Sequence, residues 1–196
     1  MYEKTKTSCP NVYGAFGGLM RLIPLDIKNN LCYFGIVQPF LTMNPTVIGS
    51  FEDFEAHNGQ ELGASEFFKI TQSQINLFAD ATYDHQWIHT DPARASKEGA
   101  FGNTIAHGYL TLSIVPHLWD QIVRVENLKM MINYGIENLR FAQAVTVDSE
   151  VRLVAKLKNV ANLRGTVKAE VEVKLEIKDH KKPAFTGVLV FLYHFV

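Results

Sequence analysis

Hydrophobic and polar residues alternate strictly near the end of the chain, over residues 166–178 ("TVKAEVEVKLEIK"). One face of this segment carries Val167, Ala169, Val171, Val173, Leu175 and Ile177, and from Lys168 onward the other carries only lysine and glutamate. A period of two with one charged face is typical of a β-strand that is buried on one side. Residues 150–158 and 184–196 flank it, with turns predicted near 159–164 and 179–183, so the pattern predicts an antiparallel meander.

A helical period appears earlier, in "ITQSQINLFADAT" (residues 70–82). Thr71 and Gln74 have the spacing of a capping box, and the apolar residues that follow recur on one helix face. No period continues past Tyr83, so the helix is predicted to end there. A second helix is predicted over residues 104–123, where apolar residues surround the axis and Pro116 is expected to kink or end it. These elements predict an α+β fold in which an antiparallel sheet packs on one long buried helix.

The first fifty residues show no sustained period, and Pro10, Pro24, Pro39 and Pro45 interrupt them. Within them, residues 31–37 are predicted to form a short strand. The predicted organisation is an extension of unclear structure over residues 1–50 and one domain over residues 51–196. Met43 is a plausible start residue, and we hypothesise that residues 1–42 are an appendage or reflect an upstream start site.

Composition narrows the class of protein. The chain has 196 residues, with 19 basic and 20 acidic side chains, and this balance argues against a nucleic-acid-binding protein. No run of eighteen apolar residues occurs, so no membrane span is predicted. Cys9 and Cys32 are the two cysteines, and the first thirty residues lack a secretory signal, which together favour a reducing, cytoplasmic location.

Titratable residues are concentrated in "ATYDHQWIHTDPARA" (residues 81–95). The cluster is predicted to be a loop that leaves the first helix, because Pro92 disfavours helix at the residue before it. Asp84 and His89 can converge there on one small molecule. His107-Gly108 follows eighteen residues after His89, and an unpaired amide at a helix start can donate to a developing oxyanion.

The motif "DHQWIHTDPARA", followed by "GAFGNTIAHGYLTLSIVP", resembles the MaoC-like dehydratases, which are (R)-specific enoyl-CoA hydratases with a hot-dog fold. The nodulation protein N-like branch is the nearer resemblance, and it extends over roughly residues 51–196. The resemblance implies that Asp84 and His89 are the catalytic pair and that the Gly108 amide polarises the thioester carbonyl. The expected substrate-binding residues are Gln86, Trp87, Ile88 and His107.

Some of these positions carry a second interpretation. His107 is expected to fix the loop by hydrogen bonding rather than take part in the chemistry, and Trp87 either packs against the sheet or lines the acyl channel. Tyr83 stands where many relatives have glycine. Gln86-Trp87 stands where well-studied hydratases have Asn-Pro, so the longer Gln86 side chain is expected to alter the acyl pocket.

The reaction implied by the resemblance is reversible addition of water to a trans-2-enoyl thioester, without a metal or other cofactor. Two alternatives stay open: a hot-dog thioesterase, against which the lack of a carboxylate in "AHGYLTLSIVPHLW" argues, and a non-catalytic acyl-thioester binding protein. A metal site at His85 and His89 is disfavoured because Gln86 replaces the glutamate of a zinc-hydrolase motif. Arg94 and Lys97 are expected to be solvated charges. The resemblance also implies a homodimer or an assembly of dimers.

Overall fold

The computed structural model describes residues 44–196. The predicted strand at 31–37, both cysteines and Met43 lie outside this range. The elements, in chain order, are β1 (Thr46–Ile48), α1 (Phe51–Ala56), β2 (Glu61–Ala64), β3 (Phe68–Lys69), α2 (Gln72–Thr82), α3 (Trp87–Thr90), α4 (Pro92–Glu98), α5 (Gly108–Ser113), α6 (Val115–Trp119), β4 (Val123–Val125), β5 (Leu128–Phe141), β6 (Glu150–Leu163), β7 (Thr166–Ile177) and β8 (Phe185–Phe195).

The predicted antiparallel meander is confirmed as β6, β7 and β8, which pair consecutively at the centre of one sheet. All six apolar residues of the alternating face of β7 are buried. The turn expected over residues 159–164 is tighter than predicted. Strand β6 continues to Leu163, and the reversal needs only Arg164 and Gly165, which both have positive φ angles. Two consecutive residues with positive φ form a two-residue hairpin turn, and the twist of this turn matches the right-handed twist of the two strands that it joins.

The two edges of the sheet differ. Strands β2 and β3 pair in succession with β6 at one edge, and β5 pairs with β8 at the other. Strand β5 was not predicted from the sequence. Separately, β1 pairs in parallel with β4, and Ile48 of β1 is fully buried. The folded unit therefore includes residues 46–48, which lie before the predicted domain boundary.

The helix predicted over residues 104–123 is wrong in extent. Residues 104–107 are extended because Ile105 pairs with Thr146. The helical part is divided into α5 and α6, which meet at Ile114. Pro116 has no N–H and is the second residue of α6, next to the break at Ile114, so the interruption that it was expected to cause is confirmed.

The core lies between α5–α6 and one face of the sheet. Leu118 and Trp119 of α6 are buried, and the Trp119 ring lies 5.4 Å from that of Phe191 on β8. This arrangement is the α+β hot-dog architecture, with two short helices in place of one long helix. Among residues 44–196, no helix has the length and apolarity required to cross a membrane.

Candidate active site

Helix α2 delivers the chain to the site. Its capping box is confirmed, because the Thr71 side chain accepts from the Gln74 amide while the Gln74 side chain accepts from the Thr71 amide. The predicted end at Tyr83 is also confirmed. Tyr83 has a left-handed backbone (φ 60°), which stops the helix and turns residues 84–86 back across its end. Tyr83 as a whole is 88% exposed.

His89 lies on the single-turn helix α3, so the predicted loop is wrong at this point. Its ring is buried, and its Nδ1–H donates to the Ile105 carbonyl oxygen at 2.7 Å. Since a backbone carbonyl only accepts, this bond fixes the tautomer and leaves Nε2 as the unprotonated nitrogen. The Ile105 amide in turn donates to the Ile88 carbonyl at 3.0 Å. Helix α3 and the extended segment 104–107 are therefore joined at His89.

The extended segment is also attached to the loop that precedes β6. The Ala106 amide donates to the Val145 carbonyl at 2.8 Å, and the Val147 amide donates to the Thr104 carbonyl at 2.9 Å. These bonds explain why residues 104–107 are not helical. They hold His107 and Gly108 in place at the start of α5.

The side chains of Asp84, His89 and His107 come together. One oxygen or nitrogen atom from each lies within 4.8 Å of the others. Asp84 is half-buried, whereas both imidazoles are buried. The structure thus brings together the predicted catalytic pair, Asp84 and His89, and the predicted substrate-binding residue His107.

Hydrogen bonding and burial change the pKa values of Asp84 and His89. Gln86 Nε2 donates to Asp84 Oδ1 at 3.1 Å, and this bond is the main reason that the pKa of Asp84 lies below its ordinary value. Burial lowers the pKa of His89, although its bond to Ile105 opposes that effect. Near neutral pH the arrangement favours an ionised carboxylate beside a neutral imidazole.

His107 has a bracing position. Its Nε2–H donates to the backbone carbonyl of Asp84 at 2.9 Å, which ties the residue 84–86 loop to the start of α5. Its ring stacks on that of His89, with 3.8 Å between the centroids, and also packs against Phe78. Its Nδ1 is buried and has no hydrogen-bond partner within residues 44–196. The hydrogen bond is the loop-fixing contact expected from the sequence.

Gly108 is the first residue of α5, where the backbone amide has no intrahelical acceptor. A Cβ at this position would lie 3.2 Å from two carbons of the Phe141 ring, so the absence of a side chain lets β5 and α5 approach closely. Tyr109 stands edge-on to the same ring, with 6.0 Å between the centroids.

The remaining predicted substrate-binding residues border the pair. Gln86 contacts the Asp84 carboxylate as described, and Ile88 is half-buried and accepts the Ile105 amide through its carbonyl. Trp87 is half-buried under the Arg94 guanidinium, which lies 4.4 Å from the ring centroid. Arg94 also pairs with Glu98 on the surface, and both Arg94 and Lys97 are exposed, as expected for solvated charges.

A metal ion is the other ligand that two histidines and a carboxylate could hold. The rings of His89 and His107 are stacked with only 26° between their planes. Because the lone pairs of an imidazole lie in the ring plane, two nearly parallel rings do not point at one ion. His85 lies apart from this group, on the surface, with Nε2 3.7 Å from Asp80 Oδ1. The geometry fits a water molecule or a substrate group better than a metal.

Known proteins agree with the resemblance seen in the motif. The family described as "MaoC like domain" matches residues 53–178. The chain belongs to the MaoC-like dehydratase family. Among curated relatives of this family, 3-hydroxyacyl-thioester dehydratase Z of Mycobacterium tuberculosis is 45% identical over 145 residues, which are 74% of this chain and 95% of the relative. Nodulation protein N of Rhizobium leguminosarum bv. viciae is 39% identical, over 74% of this chain and 92% of its own.

The solved structures support the hot-dog fold of this MaoC-like chain. An (R)-hydratase from A. caviae involved in PHA biosynthesis superposes with a TM-score of 0.56 at 24% identity. The match covers 68% of this chain and 94% of that one. At this level of identity the likeness concerns the fold alone.

Residues that hold the site together were missed in the sequence. Gln72, Thr104 and Ile105 make hydrogen bonds to or beside His89, yet none of them belongs to the cluster of titratable residues at 81–95. The sequence around Gln72 predicts only that it lies at the start of a helix, because it follows the capping residue Thr71. Its contact with His89 spans seventeen positions of the chain.

Proposed function

We propose that this MaoC-like protein is an (R)-specific enoyl-CoA hydratase, or 3-hydroxyacyl-thioester dehydratase, that adds water reversibly to a trans-2-enoyl thioester. The observation that supports this proposal best is the Asp84–His89 pair, in which a carboxylate lies beside an imidazole whose Nε2 is free to accept a proton. The curated relative named as a 3-hydroxyacyl-thioester dehydratase agrees with it.

In the proposed mechanism, Asp84 and the Nε2 atom of His89 hold one water between them. His89 takes a proton as the water oxygen bonds to Cβ of the substrate, and the alkene electron pair moves onto the thioester carbonyl. The enolate then collapses, and the proton is returned to Cα on the same face. One O–H bond and the C=C π bond break, while one C–O and one C–H bond form. The imidazole suits both proton transfers, because the neutral ring accepts the proton of the water and the imidazolium so formed donates it to Cα.

Charge that develops on the carbonyl oxygen needs a donor. The Gly108 amide fits this role because it starts α5 and carries no side chain to obstruct the approach of a thioester. In the dehydration direction the same groups act in reverse. No step requires a metal or another cofactor.

The test is the hydration of crotonyl-CoA, which is measured as the loss of the enoyl absorbance. Asp84→Asn and His89→Asn should each lower kcat by about 10²- to 10⁴-fold, the usual contribution of a general acid–base group. Asp80→Asn and His85→Asn are matched controls, because Asp80 and His85 are also an aspartate and a histidine, and they form an exposed pair outside the site. Far-UV circular dichroism checks that each variant is folded.

The outcomes separate the functions. Near-wild-type hydration by either site variant would refute the assigned roles. Release of free thiol without loss of the enoyl absorbance would show a thioesterase instead. Tight binding of crotonyl-CoA without turnover of the wild-type protein would show a binding protein.

A second copy of this chain is the proposed partner. Over residues 128–136, edge strand β5 exposes five apolar side chains between 37% and 65%: Leu128, Met130, Ile132, Tyr134 and Ile136. A fourteen-residue edge with this much exposed apolar surface favours pairing with another strand. Sedimentation velocity should give a dimer for the wild type and a monomer for Ile132→Lys/Tyr134→Glu. Leu77→Lys, on exposed α2, is the control that should stay dimeric; a wild-type monomer at micromolar concentration would reject the partner.

A further inference from the structure

Gln72 joins three parts of the site through one side-chain amide. Its Nε2 donates to the backbone carbonyl of His89 at 2.8 Å and to Asn76 Oδ1 at 2.8 Å. Its Oε1 accepts the hydroxyl of Thr104 at 2.5 Å. Thus the first residue of α2 holds α3 on one side and the extended segment 104–107 on the other.

The orientation of this amide is fixed by its neighbours. The His89 carbonyl can only accept, so the Gln72 NH₂ group must face α3. The Thr104 side chain is fully buried, and its hydroxyl therefore needs the Gln72 oxygen as an acceptor. A residue with both a donor and an acceptor at this distance is required; an ionised glutamate supplies only the acceptor, and methionine supplies neither.

The same two segments set the direction of the His89 ring. Helix α3 carries His89, and the segment 104–107 carries the Ile105 carbonyl that binds its Nδ1. A shift of one segment against the other changes the length of that bond and the position of Nε2. Gln72 bridges the segments beside this bond. Within residues 44–196 its side chain bonds to the His89 carbonyl, Asn76 and Thr104, and not to the His89 ring or Asp84.

From this geometry we infer that Gln72 is a positioning residue that holds the imidazole of His89 in its catalytic direction. The inference rests on the proposed function for its kinetic consequence, but the direction of the ring can be measured without turnover. Gln72→Met removes both hydrogen-bonding groups at similar length. Gln72→Met/Thr104→Val also removes the buried hydroxyl that the first change leaves without an acceptor.

The double variant separates positioning from stability. Gln72→Met alone should lower both the melting temperature and kcat. Gln72→Met/Thr104→Val should regain most of the melting temperature, because no buried hydroxyl is stranded. It should still lose about 10- to 100-fold in kcat with crotonyl-CoA, with KM nearly unchanged, since a small misplacement of a catalytic group has effects of this size. Asn76→Ala is the control, and it removes one Gln72 bond without touching either site segment.

The activity-independent measurement is the ¹⁵N spectrum of the His89 ring. The wild type should show one tautomer with Nδ1 protonated, and the double variant should show mixed or broadened ring signals. Wild-type kcat together with wild-type ring signals in Gln72→Met/Thr104→Val would overturn the inference. Altered ring signals in the variant, with a wild-type protein that does not hydrate crotonyl-CoA, would uphold the positioning of His89 and reject the proposed function.

Discussion

Replacement of His107 by phenylalanine separates the bracing of the site from the stability of the fold. Phenylalanine keeps an aromatic ring where His107 stacks on His89 and packs against Phe78. It removes the donor to the Asp84 carbonyl and, at the same time, the buried Nδ1 that lacks a partner. The two changes have opposite effects on the free energy of unfolding.

The magnitudes follow from these contacts. An unpaired buried polar group costs about 1–3 kcal/mol, so the loss at the Asp84 carbonyl and the gain at Nδ1 are of similar size. The free energy of unfolding of His107→Phe should therefore stay within about 1 kcal/mol of wild type. His107→Ala should lose about 2–4 kcal/mol, because it also leaves a cavity beside Phe78 and His89. Both variants release the residue 84–86 loop, so both should lower kcat/KM for crotonyl-CoA by at least about tenfold.

Urea unfolding and steady-state hydration measure the two effects in the same samples. The control is His117→Phe, an exposed histidine on α6 whose ring lies 5.3 Å from that of Phe68 and away from Asp84. The reasoning would be refuted by a His107→Phe protein with wild-type kcat/KM. Equal destabilisation of the phenylalanine and alanine variants would also contradict it, since only alanine leaves a cavity.

Two further predictions concern pH and Gly108. Because burial lowers the pKa of His89, the acid limb of kcat/KM should have its midpoint below 6.5, and Asp84→Asn should leave an acid limb in place. Between that lowered pKa and 6.5, the unfolded state binds more protons at His89 than the folded state does. The contribution of His89 to the free energy of unfolding, measured with urea, should therefore be complete above pH 6.5 and be lost as the pH falls through this window. Gly108→Ala places a Cβ against Phe141 and should lower kcat/KM. Addition of Phe141→Leu to this variant should recover part of the loss. A Gly108→Ala protein with wild-type kcat/KM would show that close packing at Gly108 is not needed.

Elements with local signals were predicted well from the sequence. The capping box of α2 and the alternation of β7 are patterns of residues a few positions apart, so both can be recognised without knowledge of distant contacts. Strand β5 was missed although Leu128, Met130, Ile132, Tyr134 and Ile136 also alternate. Met131 and Gly135 stand between these residues, so the polar half of the alternating pattern is weak.

The failures at the site have a tertiary cause. Residues 104–107 look helical because they continue the apolar run of α5, but Ile105 and Ala106 are held extended by the strand-like pairing with residues 145–146. Helix α3 is too short to show a period. The motif led to Asp84, His89 and Gly108 through the family resemblance. The supporting residue Gln72 could not be found in this way, because its partners His89 and Thr104 are distant in sequence.

The site is assembled from two short segments that bond directly to each other. His89 reaches the Ile105 carbonyl, the Ile105 amide reaches the Ile88 carbonyl, and His107 reaches the Asp84 carbonyl. Three such bonds contribute little to the stability of a fold whose core lies between α5–α6 and the sheet. They nevertheless set the separation of the carboxylate from the imidazole, on which proton transfer depends steeply. Substitutions that remove these hydrogen bonds without leaving a cavity should therefore change kcat more than the free energy of unfolding, whereas core changes at Leu118 or Trp119 should do the reverse.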